Sequence, residues 1–93
     1  MRPATTDDVQ TLALSALAAT FSDARLARRF LDLSGIETDE LRRRAADPAL
    51  LAALLRFLEA HEPDLIAVAQ AVGVGPAELV AAREALEACP ARC

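Results

Sequence analysis

The chain has 93 residues, which is one domain's worth and enough for a single hydrophobic core without covalent or metal staples. It is 54% hydrophobic but only 3% aromatic, carries no Tyr, Trp or Lys, and has a net charge of −4. Those absences exclude a P-loop lysine, a lysine Schiff base and a strong base-stacking platform, and the acidic balance gives no overall attraction to nucleic acid or anionic membranes. Charge is unevenly spread: Phe21 to Arg44 holds six Arg against five acids, and the remainder four Arg against nine acids. Val9 to Ser22 is uncharged, and Ala16-Leu17-Ala18 imitates a small-residue cleavage site. Asp7 and Asp8, however, occupy the place where an export signal needs positive charge. No run approaches the ~18–20 apolar residues of a spanning helix, so a cytoplasmic protein with no membrane contact is expected.

Apolar residues recur at helical spacing throughout, and no segment alternates with the period of a strand. The first helix is predicted from about Thr6 to Thr20, capped by Thr5 or Thr6, with Asp7 and Asp8 complementing its dipole. Val9, Leu12, Ala13, Ala16, Leu17 and Thr20 share one face. Ser22-Asp23 reads as a turn and cap for a second helix ending near Ser34, stopped by Gly35. Its inward residues are Leu26, Phe30 and Leu33, and its wet face holds Arg25, Arg28, Arg29 and Asp32. A short third helix is predicted over about Thr38 to Ala46, with Ile36 and Leu41 clamping its start as a hydrophobic staple.

Asp47-Pro48 ends that helix and opens a fourth, about Pro48 to His61. Leu50, Leu51, Leu54, Leu55, Phe57 and Leu58 cover most of its circumference, which places it in the middle of the domain. Glu62-Pro63 restarts the chain into a fifth helix running to about Val72, with Leu65, Val68, Ala69 and Val72 inward. After the Gly73-Val74-Gly75 turn, Pro76 opens a sixth helix to about Ala88, whose apolar positions are Leu79, Val80 and Leu86. The fold class is therefore all-α: a compact bundle of five or six short helices around the central apolar helix from about Pro48 to His61, one domain with flexible ends at about 1–5 and 89–93. There is no internal repeat.

The punctuation is specific. Arg29-Phe30-Leu31, Ser34-Gly35-Ile36, Glu40-Leu41-Arg42, Asp47-Pro48, Phe57-Leu58, Glu62 and Gly73 together resemble the bacterial domain-of-unknown-function family numbered 3572. The resemblance spans roughly Leu12 to Leu86. It implies a small cytosolic helical protein with no assigned activity or ligand. The chain departs from the pattern at His61 and at Arg56, where the resemblance leads one to expect acids.

Three places carry candidate chemistry. Arg42-Arg43-Arg44, with Arg25, Arg28 and Arg29 close in sequence, offers an anion or acidic-partner surface. The alternative is a solvated face, since Asp39 and Glu40 precede Arg43 and Arg44 by four residues, the spacing of helix-surface ion pairs. His61-Glu62 pairs an imidazole with a carboxylate, as general acid–base catalysis requires, but no nucleophile, metal partner or glycine-rich loop accompanies it. Ala69 and Gly73, followed by the helix from Pro76, have the spacing of a helix-turn-helix, which also arises from simple packing across a glycine turn. The second helix there carries Glu78, Glu84 and Glu87 against Arg83 alone, so phosphates would repel it.

Cys89 and Cys93 could close only a tiny loop, and with His61 they fall short of the four ligands of a structural zinc site. They read as exposed tail thiols, and neither metal nor cofactor is expected. The leading expectation is a non-enzymatic protein-interaction domain that binds another protein or itself through Arg28, Arg29, Arg42 and Arg43. The alternatives are a helix-turn-helix-like nucleic-acid-binding regulator using about Leu65 to Ala88, and an enzyme using His61 and Glu62.

Overall fold

Six helices follow one another in the computed structural model, which describes residues 6–88: α1 (Thr6–Phe21), α2 (Ala24–Ser34), α3 (Thr38–Arg43), α4 (Pro48–Glu59), α5 (Glu62–Val72) and α6 (Pro76–Ala88). The ends expected to be flexible, 1–5 and 89–93, lie outside the described residues, as do Cys89 and Cys93. The caps predicted for α2 and α4 form, while the one expected for α1 at Thr5 or Thr6 lies outside the described side chains. Asp23 turns its carboxylate onto the amides of Arg25 and Leu26, and Asp47 does the same for Ala49 at the start of α4. Gly35 and Gly73 stop α2 and α5 in the left-handed conformation, at φ 72° and 82°. A side chain with a Cβ would be strained there.

α4 is central, as its apolar circumference requires: Leu51, Leu54, Leu55 and Leu58 are fully enclosed. It packs against α1, α5 and α6. α1 shares the centre, because it touches α2 and α5 as well as α4 and α6. Ala13 and Ala16 are buried on α1 and let these helices approach closely, while Thr20, also buried, donates its hydroxyl to the Ala16 carbonyl at 2.8 Å. Phe30 fills the end of the core between Phe21 and Phe57, edge-on to both, with centroids at 6.2 and 5.4 Å.

Four expectations need correction. α3 ends at Arg43 rather than Ala46, because Arg44 forms the cap and Asp47 is already committed to α4. α4 ends at Glu59, and His61 is the N-cap of α5 rather than the last turn of α4, so it does not serve the dipole of α4. Val72, expected inward, is half-buried. Leu33 is 75% exposed, not inward: the main packing partner of α2 is α1, and the last turn of α2 overhangs the core.

Candidate functional site

A cleft of about 390 Å³ lies between α1 and α3. Leu14, Leu17, Ala18 and Phe21 line it from α1, and Thr38, Leu41, Arg42 and Ala45 from α3 and the turn after it. The first set follows the i, i+3, i+4, i+7 rule and is one stripe of α1; of the second, Thr38, Leu41 and Arg42 belong to α3 and Ala45 to the turn after it. The two sets face each other, yet α1 and α3 are not among the closely packed helix pairs. Gln10 donates its side-chain amide to the Ala46 carbonyl at 2.6 Å and ties α1 to the turn after α3. Leu17 and Leu41 are buried and form the floor, while Leu14, Ala18 and Arg42 stand exposed at the rim.

Arg42 is the one charged residue lining this cleft. Its contact with Asp39 spans 3.9 Å between two well-exposed side chains, a pairing of little energetic weight. The sequence led us to expect Asp39 to pair with Arg43 instead; Arg43 is exposed and has no ion pair among the described residues. The predicted Glu40–Arg44 pair is present at 3.2 Å, and Arg44 also holds Asp47 at 3.1 Å. Those bonds raise the Arg44 pKa, through Asp47 first and Glu40 second.

The four Arg expected to form a partner surface therefore play different parts. Arg28, Arg42 and Arg43 are exposed, and Arg28, like Arg43, has no ion pair among the described residues. Arg29 turns back on its own chain. It donates to the buried Asp64 carboxylate at 2.8 Å and lies 5.2 Å from the centre of the Phe57 ring. Arg25 approaches the same carboxylate at 3.8 Å.

A second charged cluster clamps α4 to α6. Arg83 donates to Glu59 at 2.5 Å and to Glu87 at 2.7 Å, and Arg56 bonds to the other Glu87 oxygen. Arg56, where the resemblance led one to expect an acid, thus pairs with an acid of α6. Its bond is the first cause, and Arg83 the next, of a Glu87 pKa below the ordinary 4.5. The Asp47 pKa is likewise lowered from 3.8, first by the Ala49 amide and then by Arg44. Groups depressed in this way stabilise the fold above their unfolded values and lose that contribution as pH falls through the folded ones. Melting temperature is therefore expected to fall as pH drops below about 4.5, and Glu87→Gln should make that acid slope shallower. Thermal melts from neutral pH downward check this; an equal slope in the variant would dismiss the clamp.

α5 and α6 meet at 95°, within the range of a helix-turn-helix. The exposed face of α6 holds Ala77, Glu78, Ala81, Glu84 and Ala85, with no Arg among them. Arg83 is half-buried between its two glutamates. Beside this face lies a groove of about 380 Å³, lined by Val9, Leu12, Ala81, Ala82, Ala85 and the acids Asp8 and Glu78. A third cleft, about 460 Å³, runs between Ser15, Ala18, Ala19 and Ser22 of the first helical region and Ala71 and Val72 of α5. His61 and Glu62 are exposed and line none of these three. No group of three or more metal-ligating side chains occurs among the described residues, and no single described helix is long and apolar enough to cross a membrane.

The family model described as Protein of unknown function (DUF3572) matches residues 6–88. The chain belongs to this family. The match covers every described helix, so the punctuation read from the sequence identified the family correctly. Comparison with curated proteins and with solved structures finds no match. Of the two positions where the resemblance led one to expect acids, Arg56 has the clamp role given above. His61, at the N-cap of α5, makes no side-chain capping bond.

The α1–α3 cleft was missed from sequence, although its signal was present. Leu14, Leu17, Ala18 and Phe21 form a second apolar stripe on α1, beside the face assigned to the core. That this stripe faces α3 across an open cleft is visible only in the assembled fold.

Proposed function

We propose that this chain is a small cytoplasmic, non-enzymatic protein-interaction domain that docks a partner through the α1–α3 cleft. The observation that carries the reading is an apolar stripe of α1 facing Leu41 and Ala45 across about 390 Å³, with Arg42 at the rim. An apolar floor takes a hydrophobic anchor, and a cation at the edge selects an acidic neighbour of that anchor. The docking surface is thus Arg42 with Arg43 beside it; Arg29 acts within the fold, and Arg28 stands on α2 outside the cleft. An enzyme built on His61 and Glu62 lacks support, since no cleft described here contains either residue.

The test is affinity capture from the native cell with mass spectrometry, run in parallel on variants. Partners bound by the wild type are expected to be lost with Leu14→Ser and with Arg42→Glu, and kept with Arg28→Glu. Leu14 is 36% exposed, so folding should survive its change, and circular dichroism checks that. A partner list unaffected by both cleft variants would remove the cleft as the docking site.

The nucleic-acid reading has one observation in its favour, the 95° meeting of α5 and α6. Charge weighs against it more heavily. Affinity for DNA comes mostly from cations that displace counterions at phosphates, and the only cation of α6, Arg83, is already bonded to Glu59 and Glu87. In a mobility-shift titration at low salt, where attraction is least screened, no micromolar complex with duplex DNA is expected. A clear complex, lost on Arg83→Ala, would put the regulator reading first.

A further inference from the structure

Leu33 continues the stripe of Leu26 and Phe30 along α2, yet it is 75% exposed while they are 3% and 2% exposed. One face of one helix is thus core for two turns and uncovered for the third. Single exposed apolar residues are common on protein surfaces; this one lies in line with a core stripe, on the last turn of α2. Next to it in sequence, about 100° round the helix, stands Asp32, exposed and with no ion pair among the described residues. An exposed leucine next to a free carboxylate is the chemistry that the α1–α3 cleft selects: an apolar anchor for the Leu17–Leu41 floor and an acid for Arg42.

We propose that the occupant of the cleft is a second copy of this chain, which inserts Leu33 and pairs Asp32 with Arg42. The proposal rests on the docking reading above and names the partner. A two-fold dimer requires anchor and pocket to share one patch, so that each copy gives and receives the same contact. Leu33 is five residues from Thr38 on the cleft wall, a span of at most about 17 Å even if fully extended. That bound allows anchor and cleft to lie within one patch, as a single two-fold axis beside the α2–α3 turn requires. Gly35 makes that turn tight, ending α2 at φ 72° and leaving Leu33 on the last turn before the chain doubles into α3.

Charge complementarity argues for a copy of this chain over an unrelated apolar segment. The cleft lining carries a cation and no anion. The other two large exposed hydrophobics are Leu14, which belongs to the cleft itself, and Ile66 at 39% exposure, whose neighbours Leu65 and Ala67 carry no charge. Of the three, only Leu33 combines an uncovered side chain with an adjacent acid.

Sedimentation equilibrium of the full chain between roughly 1 µM and 1 mM, in reducing buffer so that Cys89 and Cys93 cannot link copies, tests this directly. A reversible dimer is expected. Leu33→Ser and Arg42→Asp should each weaken it by about tenfold or more. The reciprocal swap Asp32→Arg with Arg42→Asp should recover most of the Arg42→Asp loss. All three residues are exposed, so the thermal melts should match the wild type once the dimer contribution is removed by dilution. Independently of any variant, isotope-filtered NMR on mixed labelled and unlabelled chains should show Leu33 methyls in contact with the Phe21 ring. A chain that stays monomeric throughout, or a dimer indifferent to Leu33→Ser, overturns self-pairing. If a foreign partner is meanwhile captured through Leu14 and Arg42, the docking reading stands without it.

Discussion

Leu54→Ala is expected to destabilise the chain by about 2–5 kcal/mol, lowering its melting temperature by about 10–25 °C. Leu54 has no exposed surface and sits mid-way along the helix that touches α1, α5 and α6 at once. Truncation removes the transfer free energy of three carbons and opens a cavity that three helices would have to shift to close. Helices held by several partners relax little, which puts the loss toward the upper part of the range. Ala53, exposed on the same helix, is the matched control, and Ala53→Ser should change stability by less than about 0.5 kcal/mol. Thermal and urea melts measure both. A Leu54→Ala melt within a degree or two of the wild type would mean that the core lies elsewhere.

Arg29→Ala should cost about 3 kcal/mol, because it leaves the Asp64 carboxylate buried without its closest cation. Asp64 is 4% exposed and receives Arg29 at 2.8 Å; the remaining cation, Arg25, is at 3.8 Å and largely in water. Its place in the first turn of α5 gives some support from the helix dipole, and Arg29 is itself partly exposed, so the loss falls at the lower end of what breaking buried pairs costs. The same substitution strips the guanidinium from the Phe57 ring. Replacing both partners, Arg29→Met with Asp64→Leu, should restore most of the stability, since no charge is then left stranded. Denaturant titrations of the single and double variants separate the two effects. A single variant that loses less than about 1 kcal/mol would make the pair a surface contact.

Much of what could be read locally was read correctly, although α3 and α4 end earlier than expected. Caps, stops and restarts act within one or two turns, so Asp23 and Gly35 bounded α2, and Asp47-Pro48 and Pro76 opened α4 and α6, before any packing was known. Their order also sufficed to place the chain in its family. Periodicity named the core wherever a helix had partners along its whole length, as on α4. It failed at Leu33 because period alone reports which side of a helix is apolar and not where the neighbouring helix ends.

Charge was the least legible property. Arg29 and Arg28 are adjacent on a face that looked uniformly wet, yet one is bonded across the fold to a residue 35 positions away and the other has no ion pair among the described residues. The candidate site shows the same division. The stripe on α1 is written in the sequence, while the gap between it and α3 is visible only in the assembled fold. Helix ends and apolar faces were set by forces that reach a few residues along the chain. Ion pairs, overhangs and clefts depended on how six such faces divide a limited amount of mutual burial, which only the assembled bundle decides.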